Sequence, residues 1–348
     1  MSTAYKNLSR YRSELMGLAI LWVMLFHAYE FHFYILPLDV FKQFGFAGVD
    51  IFILLSAMGL YVSLAKASDG NLARFYKRRV TRILPAYWLV VGLYSLCLIL
   101  CRRIRWSTAL WSLSTLHYWF RIPDTFNWYV PAILVFYLLT PFYVRLFNRC
   151  AWKGLLTAAM FPISYGIYRL SIPLHLNYTE DFICRIPAFS LGILMGYFLL
   201  TERSLTFRHC ALWSAGSLVG IVLAVLRLLN RFYINPCYVI GLLLVPIVLI
   251  CSKGLDLLPG DSLRRILRLL GESSLEIYLL NVIVTREFAV FSSYLDYGPR
   301  HIVYYLVIYS GNLLLGMALH RGIHLVSRRF ARQTVSAGSN IHVSNRKP

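Results

Sequence analysis

Long apolar runs, separated by short polar or basic stretches, recur along the whole chain. A run of about 20 apolar residues is long enough to cross the hydrocarbon core of a bilayer as one helix. The pattern therefore predicts an all-α, polytopic membrane protein with about ten transmembrane helices. The predicted spans are 14–34, 46–65, 83–101, 128–147, 154–171, 182–200, 211–229, 233–251, 273–292 and 302–325.

The spans follow one another closely and leave no room for a soluble domain between them. We expect a cytoplasmic N-terminal segment 1–13, one membrane domain 14–327, and a short, disordered cytoplasmic tail 328–348. The first apolar run does not end in a small-residue cleavage motif, so we interpret it as a retained helix.

Basic residues outnumber acidic ones, 35 to 15, which gives a formal net charge of +20. In a membrane protein such an excess normally lies in cytoplasmic loops and sets the orientation, so it does not predict nucleic-acid binding. If the N-terminus is inside, roughly two thirds of the Lys and Arg residues fall on the cytoplasmic side. This bias predicts that both termini are cytoplasmic.

The seven cysteines show no paired spacing of the kind that binds metals. Most lie in or beside apolar runs, where cysteine serves as a small core residue. We therefore expect no metal site.

One basic cluster stands out in the segment FYKRRVTRILP, residues 75–85. On a helix, Arg78 and Arg82 are four residues apart and Arg79 and Arg82 three apart, so their guanidinium groups can converge on one side. Arginine presents a planar fork of donors that matches phosphate oxygens. The cluster is therefore either an ordinary anchor at the membrane edge or a binding site for a polyanion.

Two ionisable residues lie inside the first two apolar runs. His27 can act as a general base near neutral pH, and ionisable groups at membrane depth tend to be functional. A hairpin turn near residues 37–42 would bring Asp50 to the same depth as His27, where it could orient the imidazole. The alternatives are a structural histidine in the core and an aspartate that caps a helix end.

Five stretches occur together in a characteristic order: RSELMGLAILWVMLFHAY, GVDIFILLSAMGLY, FYKRRVTRILPAYW, FNWYVPAILVFYLLTPFY and GESSLEIYLLN. In this combination the chain resembles the integral-membrane acyltransferase family that includes O-antigen and exopolysaccharide acetyltransferases. The resemblance is strongest over residues 12–90, and it is to the form without a fused second domain.

The resemblance implies an enzyme of the bacterial inner membrane that moves an acyl group, by the family's habit acetyl, from cytosolic acyl-CoA. The acceptor would be a hydroxyl of a cell-envelope glycan or a lipid-linked sugar, and no permanently bound cofactor is expected. His27 matches the catalytic histidine of the family, Asp50 the aspartate of its second-helix motif, and Arg78, Arg79 and Arg82 its basic motif. The family resemblance favours CoA phosphates as the ligand of the basic cluster. Direct transfer and an acyl-histidine intermediate both remain open.

The chain departs from the family pattern at three places. Many members carry an arginine eleven residues before the histidine, where this chain has Met16, although Arg12 lies one turn earlier. Ala57 follows Ser56 where glycine is usual, and Asn281 stands where the late motif commonly ends in histidine.

A transporter that flips a glycan or lipid-linked sugar is the alternative function. Polar residues within the spans, such as Arg185, Glu276 and Asn281, would suit it. The chain shows no inverted-repeat pattern of the kind that many transporters have.

Overall fold

A computed structural model describes residues 4–28, 33–67, 71–123, 125–231, 234–292 and 300–344. It describes only the backbone of residues 228, 288–292, 300–302 and 328–344. The α-helices are α1 Ala4–Arg10, α2 Arg12–His27, α3 Leu36–Gln43, α4 Ala47–Ala65, α5 Leu72–Leu100, α6 Trp106–Ser114, α7 Tyr129–Arg149, α8 Lys153–Ser171, α9 Glu180–Ile183, α10 Ile186–Leu200, α11 Phe207–Leu228, α12 Pro236–Leu257, α13 Ser262–Glu272, α14 Ser274–Ser292 and α15 Arg300–Ser344. Short 3-10 turns occupy Phe44–Phe46 and Asn177–Thr179. The described residues contain no β-strand, which confirms the all-α prediction.

Within the described residues, seven helical segments are long and apolar enough to cross a membrane. They are Leu36–Ala65, Leu72–Leu100, Tyr129–Arg149, Asn177–Leu200, Phe207–Arg227, Pro236–Leu257 and Val303–Ser327. The predicted count of ten is not confirmed.

The other three predicted spans form helices that fall short of these criteria. α2 has only 16 residues, and positions 29–32 of the predicted span 14–34 lie outside the described residues. α8 carries Lys153 and Arg169 within its 19 residues. α14 contains three charged residues, Glu276, Arg286 and Glu287.

Both ends of the chain differ in detail from the expectation. α1 lies in the predicted N-terminal segment and packs against the bundle, since Tyr5 and Leu8 are fully buried. The backbone of α15 is helical to Ser344, through most of the segment expected to be a disordered tail, and residues 345–348 lie outside the described part. The division into three parts stays a prediction.

α2 is held between α4 and α13 by close backbone contacts at glycine. A β-carbon at Gly271 of α13 would lie 1.7 Å from the carbonyl oxygen of Ser13, and one at Gly48 of α4 would lie 2.5 Å from that of Ala19. No larger side chain fits at either position without moving a backbone. Small residues permit this kind of approach between helices in membranes, where tight packing replaces the hydrophobic driving force. The position of α2 is thereby fixed on both sides.

We expect Gly271→Ala to lower the midpoint of thermal unfolding, because the added methyl group must push α13 away from α2. Overpacking of this kind typically costs about 1–3 kcal/mol. Gly254→Ala in α12 is the matched control, since nothing lies within 4 Å of a β-carbon at Gly254. A thermal scan that ranks Gly271→Ala level with Gly254→Ala would contradict the close packing.

Candidate active site

The basic cluster lies in the first turns of α5, which begins at Leu72, before the predicted membrane span 83–101. The side chain of Asn71 caps this helix by accepting a hydrogen bond of 2.9 Å from the backbone N–H of Arg74. Arg78 and Arg82 are exposed, whereas Arg79 is half-buried with its guanidinium carbon 4.5 Å from the centre of the Phe75 ring. The earlier start places all three arginines on helix, with Pro85 inside it.

Arg12 joins this cluster from the first turn of α2. Its Nε donates a hydrogen bond of 3.1 Å to the carbonyl oxygen of Leu55. Burial and the positive charges of Arg82 and Arg79 lower the pKa of Arg12, and Tyr137 opposes them. Arg12 and Arg82 line one cavity, and Arg79 lies one turn before Arg82 on α5. We call Arg12, Arg79 and Arg82 the basic triad, and the end of the bundle that carries them the basic end.

The basic triad contrasts with other cations at the same end of the bundle. Lys6 pairs with Glu202 at 2.7 Å, Arg10 with Asp256 at 3.5 Å, and Arg268 with Glu14 at 2.6 Å. Where side chains are described, no carboxylate lies within 4.0 Å of any triad member. The acidic residues of these three pairs thus neutralise Lys6, Arg10 and Arg268 and leave the triad available to an external anion.

A narrow cavity of about 70 Å³ leads inward from the triad. Its lining includes Arg12, Met16, Val49, Arg82, Tyr129 and Ser274. Arg12 and Met16 therefore border the same space. The guanidinium of Arg12 thus lies at this cavity one turn before Met16.

A buried ion pair lies beside the residues that line this cavity. Asp50, the chain neighbour of Val49, is fully buried, and its Oδ1 lies 3.7 Å from Nε of Arg185. Arg185 is 2 % exposed, and its guanidinium covers the ring of Trp128 at 4.6 Å. Its Nη1 donates to the carbonyl oxygen of Asp181 at 2.7 Å. A charge at this depth requires such a partner, because hydrocarbon offers none.

His27 is the last residue of α2 and is half-buried. Its Nδ1 lies 2.8 Å from the carbonyl oxygen of Val23. A carbonyl only accepts hydrogen bonds, so this contact places the proton on Nδ1 of the neutral imidazole and the lone pair on Nε2. The tautomer leaves Nε2 as the atom that can take up a proton.

The prediction that His27 and Asp50 share one depth is wrong. Gly48 faces Ala19, and Gly45 faces the carbonyl oxygen of Trp22, so α2 and α4 run antiparallel in a register that sets Asp50 near Gly17. His27 lies roughly 15 Å further along the axis at 1.5 Å per residue. The reason is that α3 occupies the place where the hairpin turn was expected. Neither carboxylate oxygen of Asp50 accepts a hydrogen bond from any described residue, so the structure does not show Asp50 orienting His27.

A family model described as an acyltransferase domain matches residues 15–321. The chain belongs to this acyltransferase family. No curated protein and no solved structure gives a significant match. The match covers His27 and Asp50 together with Arg78, Arg79 and Arg82 of α5, whereas Arg12 of this acyltransferase lies just before it.

Trp128 and Arg185 are members of this candidate site that sequence reasoning did not place there, and Arg12 was noted only as lying one turn before Met16. A single arginine within the apolar segment that begins α10 is a feature that could have pointed to Arg185. Its pairing with Asp50 could not be read from the sequence, because the two residues are far apart along the chain.

The third departure from the family pattern has a structural counterpart. Asn281 of α14 is fully buried, and its Oδ1 accepts a hydrogen bond of 3.4 Å from Nδ2 of Asn312 in α15. In this acyltransferase, the residue at the usual histidine position therefore joins two helices.

Proposed function

We propose that this acyltransferase uses acyl-CoA, with acetyl-CoA as the expected donor, and acylates a hydroxyl of a cell-envelope glycan or lipid-linked sugar. The observation that carries the proposal is the basic triad, three guanidinium groups without a described carboxylate partner, of which Arg12 and Arg82 line an inward cavity. CoA combines a cluster of phosphates with a long, thin arm. A basic mouth that opens into a narrow cavity complements that shape and charge.

The arginines of α5 and Arg12 would hold the donor by its diphosphate and 3′-phosphate. Guanidinium forks bond phosphate oxygens in pairs, and such charge-assisted bonds are stronger than neutral ones. Arg78 is exposed beside the triad, where it can contact a phosphate outside the cavity. The basic end would then face the cytosol of a bacterial inner membrane, with both termini on that side, in agreement with the bias of basic residues.

His27 would act as the general base. Arg12 and His27 are the two ends of α2, about 22 Å apart at 1.5 Å per residue. The extended pantetheine arm of CoA has a similar reach, so the thioester can be presented deep in the bundle. Nε2 of His27 takes the proton of the acceptor hydroxyl while the hydroxyl oxygen attacks the thioester carbonyl. The C–S bond breaks, the CoA thiolate leaves, and the imidazolium returns the proton to it.

Asp50 would contribute through Arg185 rather than through a direct bond to the histidine. Removing one partner of a buried ion pair leaves the other charge without compensation. Asp50 thereby fixes the guanidinium of Arg185 and, with it, the ring of Trp128 beside the cavity. We assign Asp50 a positioning role in catalysis.

Arg82→Ala and Arg12→Ala should each weaken acyl-CoA binding by about tenfold or more, since a hydrogen bond to a charged group is worth about 1.5–3 kcal/mol. Titration calorimetry on protein in lipid nanodiscs measures the affinity. Arg10→Ala is the matched control, because Arg10 lies two residues from Arg12 but pairs with Asp256. If all three variants bind CoA as tightly as the parent, the basic cluster is a membrane anchor.

His27→Gln should abolish nearly all transfer from radiolabelled acetyl-CoA to a panel of envelope glycans, because general base catalysis contributes about 10²–10⁴-fold. Acetyl-CoA binding should persist, since the phosphates lie at the other end of α2. Asp50→Asn should fold, bind donor and turn over more slowly.

The same assay separates the enzyme from a transporter. An acyltransferase moves label to a glycan and releases CoA, whereas a flippase does neither. Near-normal turnover in folded His27→Gln would remove the histidine from the mechanism, and an absence of both label transfer and CoA release in the parent would overturn the proposed function.

A further inference from the structure

A second, wider cavity lies on the other side of Trp128 from the basic end. Its free volume is about 420 Å³, within the range of roughly 300–1,000 Å³ that is typical of small-molecule sites. The lining residues are His117, Tyr118, Arg121, Ile122, Pro123, Thr125, Asn127, Trp128 and Tyr178. We call this space the distal cavity.

The distal cavity lies at the end of the bundle opposite the basic end. Its walls come from the segments that precede α7 and α9, including Trp128 and Tyr178. Glu202, just after the C-terminal end of α10, pairs with Lys6 of α1. The C-terminal end of α10 therefore lies towards the basic end, and its N-terminal end lies away from the basic triad. A ligand of the distal cavity therefore enters from the face opposite the one that would admit CoA.

Much of the wall is irregular backbone that side chains hold in place. Nε2 of His117, a residue that is 2 % exposed, lies 2.6 Å from the carbonyl oxygen of Asn127. The hydroxyl of Tyr118 donates to the carbonyl oxygen of Tyr178 at 3.2 Å, and that of Tyr178 donates to the carbonyl oxygen of Trp119 at 2.8 Å. These bonds fix two tyrosine rings at the cavity before any ligand arrives. Irregular backbone at membrane depth is tolerated where it is buried or lines a water-filled cavity.

The backbone of Arg121 supports the same interpretation. Its φ of 51° lies in the left-handed region, which residues other than glycine adopt infrequently. Its guanidinium carbon lies 5.8 Å from the centre of the Tyr178 ring. Such conformations persist where the surroundings impose them, and they cluster at ligand sites. The turn thus holds the side chain of Arg121 at the cavity beside an aromatic ring.

The lining combines two kinds of group that a sugar ring requires. The rings of Tyr118, Trp128 and Tyr178 offer flat apolar faces to the C–H side of a pyranose. Arg121, Thr125 and Asn127 offer donors and acceptors to its hydroxyls. Ile122 and Pro123 are the only aliphatic side chains among the described lining residues, so most of the apolar wall is aromatic.

We propose that the distal cavity binds a hexopyranose ring and is the subsite for the sugar that accepts the acyl group. The acceptor role rests on the proposed function, whereas binding of the sugar does not. Trp128 lines the distal cavity, and its chain neighbour Tyr129 lines the narrow cavity beside the basic triad. The Asp50–Arg185 pair lies beside both cavities. Donor and acceptor would thus bind in two cavities that both adjoin this pair.

Binding is tested without chemistry by saturation-transfer difference NMR. The full-length protein is placed in lipid nanodiscs, because detergents with sugar headgroups would compete. The probes are the methyl glycosides of glucose, galactose, mannose and N-acetylglucosamine. We expect saturation to pass to the ring protons of at least one probe, and Tyr178→Leu to reduce the transfer about threefold to tenfold because a stacking surface is lost.

The matched control is Trp106→Leu, which removes an aromatic ring that is 65 % exposed and lies outside the cavity; it should leave the transfer unchanged. Arg121→Gln provides a second arm if Tyr178→Leu does not fold. The inference is overturned if no probe receives saturation from the parent protein, or if folded Tyr178→Leu or Arg121→Gln matches the parent. Sugar binding without acyl transfer from any acyl-CoA would instead overturn the proposed function and leave the sugar site standing.

Discussion

The close backbone contact of α2 with α4 and α13 is the constraint on which the site depends. Gly271 and Gly48 allow approaches that no other residue permits at those places, so α2 can neither rotate nor slide without a clash. This contact fixes Arg12 against the carbonyl oxygen of Leu55 and directs its guanidinium towards Arg82. The same contact sets how far His27 lies from Asp50. Both ends of α2 are therefore positioned by packing and not by the charged groups themselves.

The distribution of acidic residues gives the basic end its chemistry. The chain has only 15 acidic residues against 35 basic ones. Three of the acidic residues at this end form ion pairs with Lys6, Arg10 and Arg268. Arg12, Arg79 and Arg82 are left with repulsion among themselves, which an external polyanion relieves. Deeper in the bundle the reverse holds, since Asp50 and Arg185 compensate each other where no solvent can. The basic end thus carries three arginines without a described carboxylate partner, whereas Asp50 and Arg185 pair with each other in the interior.

How much the sequence could predict depended on whether a property is local. The apolar runs predicted the all-α membrane fold, and the spacing of Arg78, Arg79 and Arg82 predicted a shared helix, because both follow from short-range periodicity. The depth of Asp50 relative to His27 was predicted wrongly, because it rests on the conformation of residues 36–46, where helix replaces a turn. Arg185 had no predicted partner, because its pairing with Asp50 arises from the packing of α10 on α4.

The central claim is that the arginines of the basic triad, beside the narrow cavity, hold the phosphates of CoA. The most direct measurement compares the binding of CoA, 3′-dephospho-CoA and pantetheine to the parent protein in nanodiscs by calorimetry. The account predicts that loss of the 3′-phosphate weakens binding about tenfold or more and that pantetheine, which lacks every phosphate, shows no measurable binding. Equal affinity for CoA and pantetheine would contradict it.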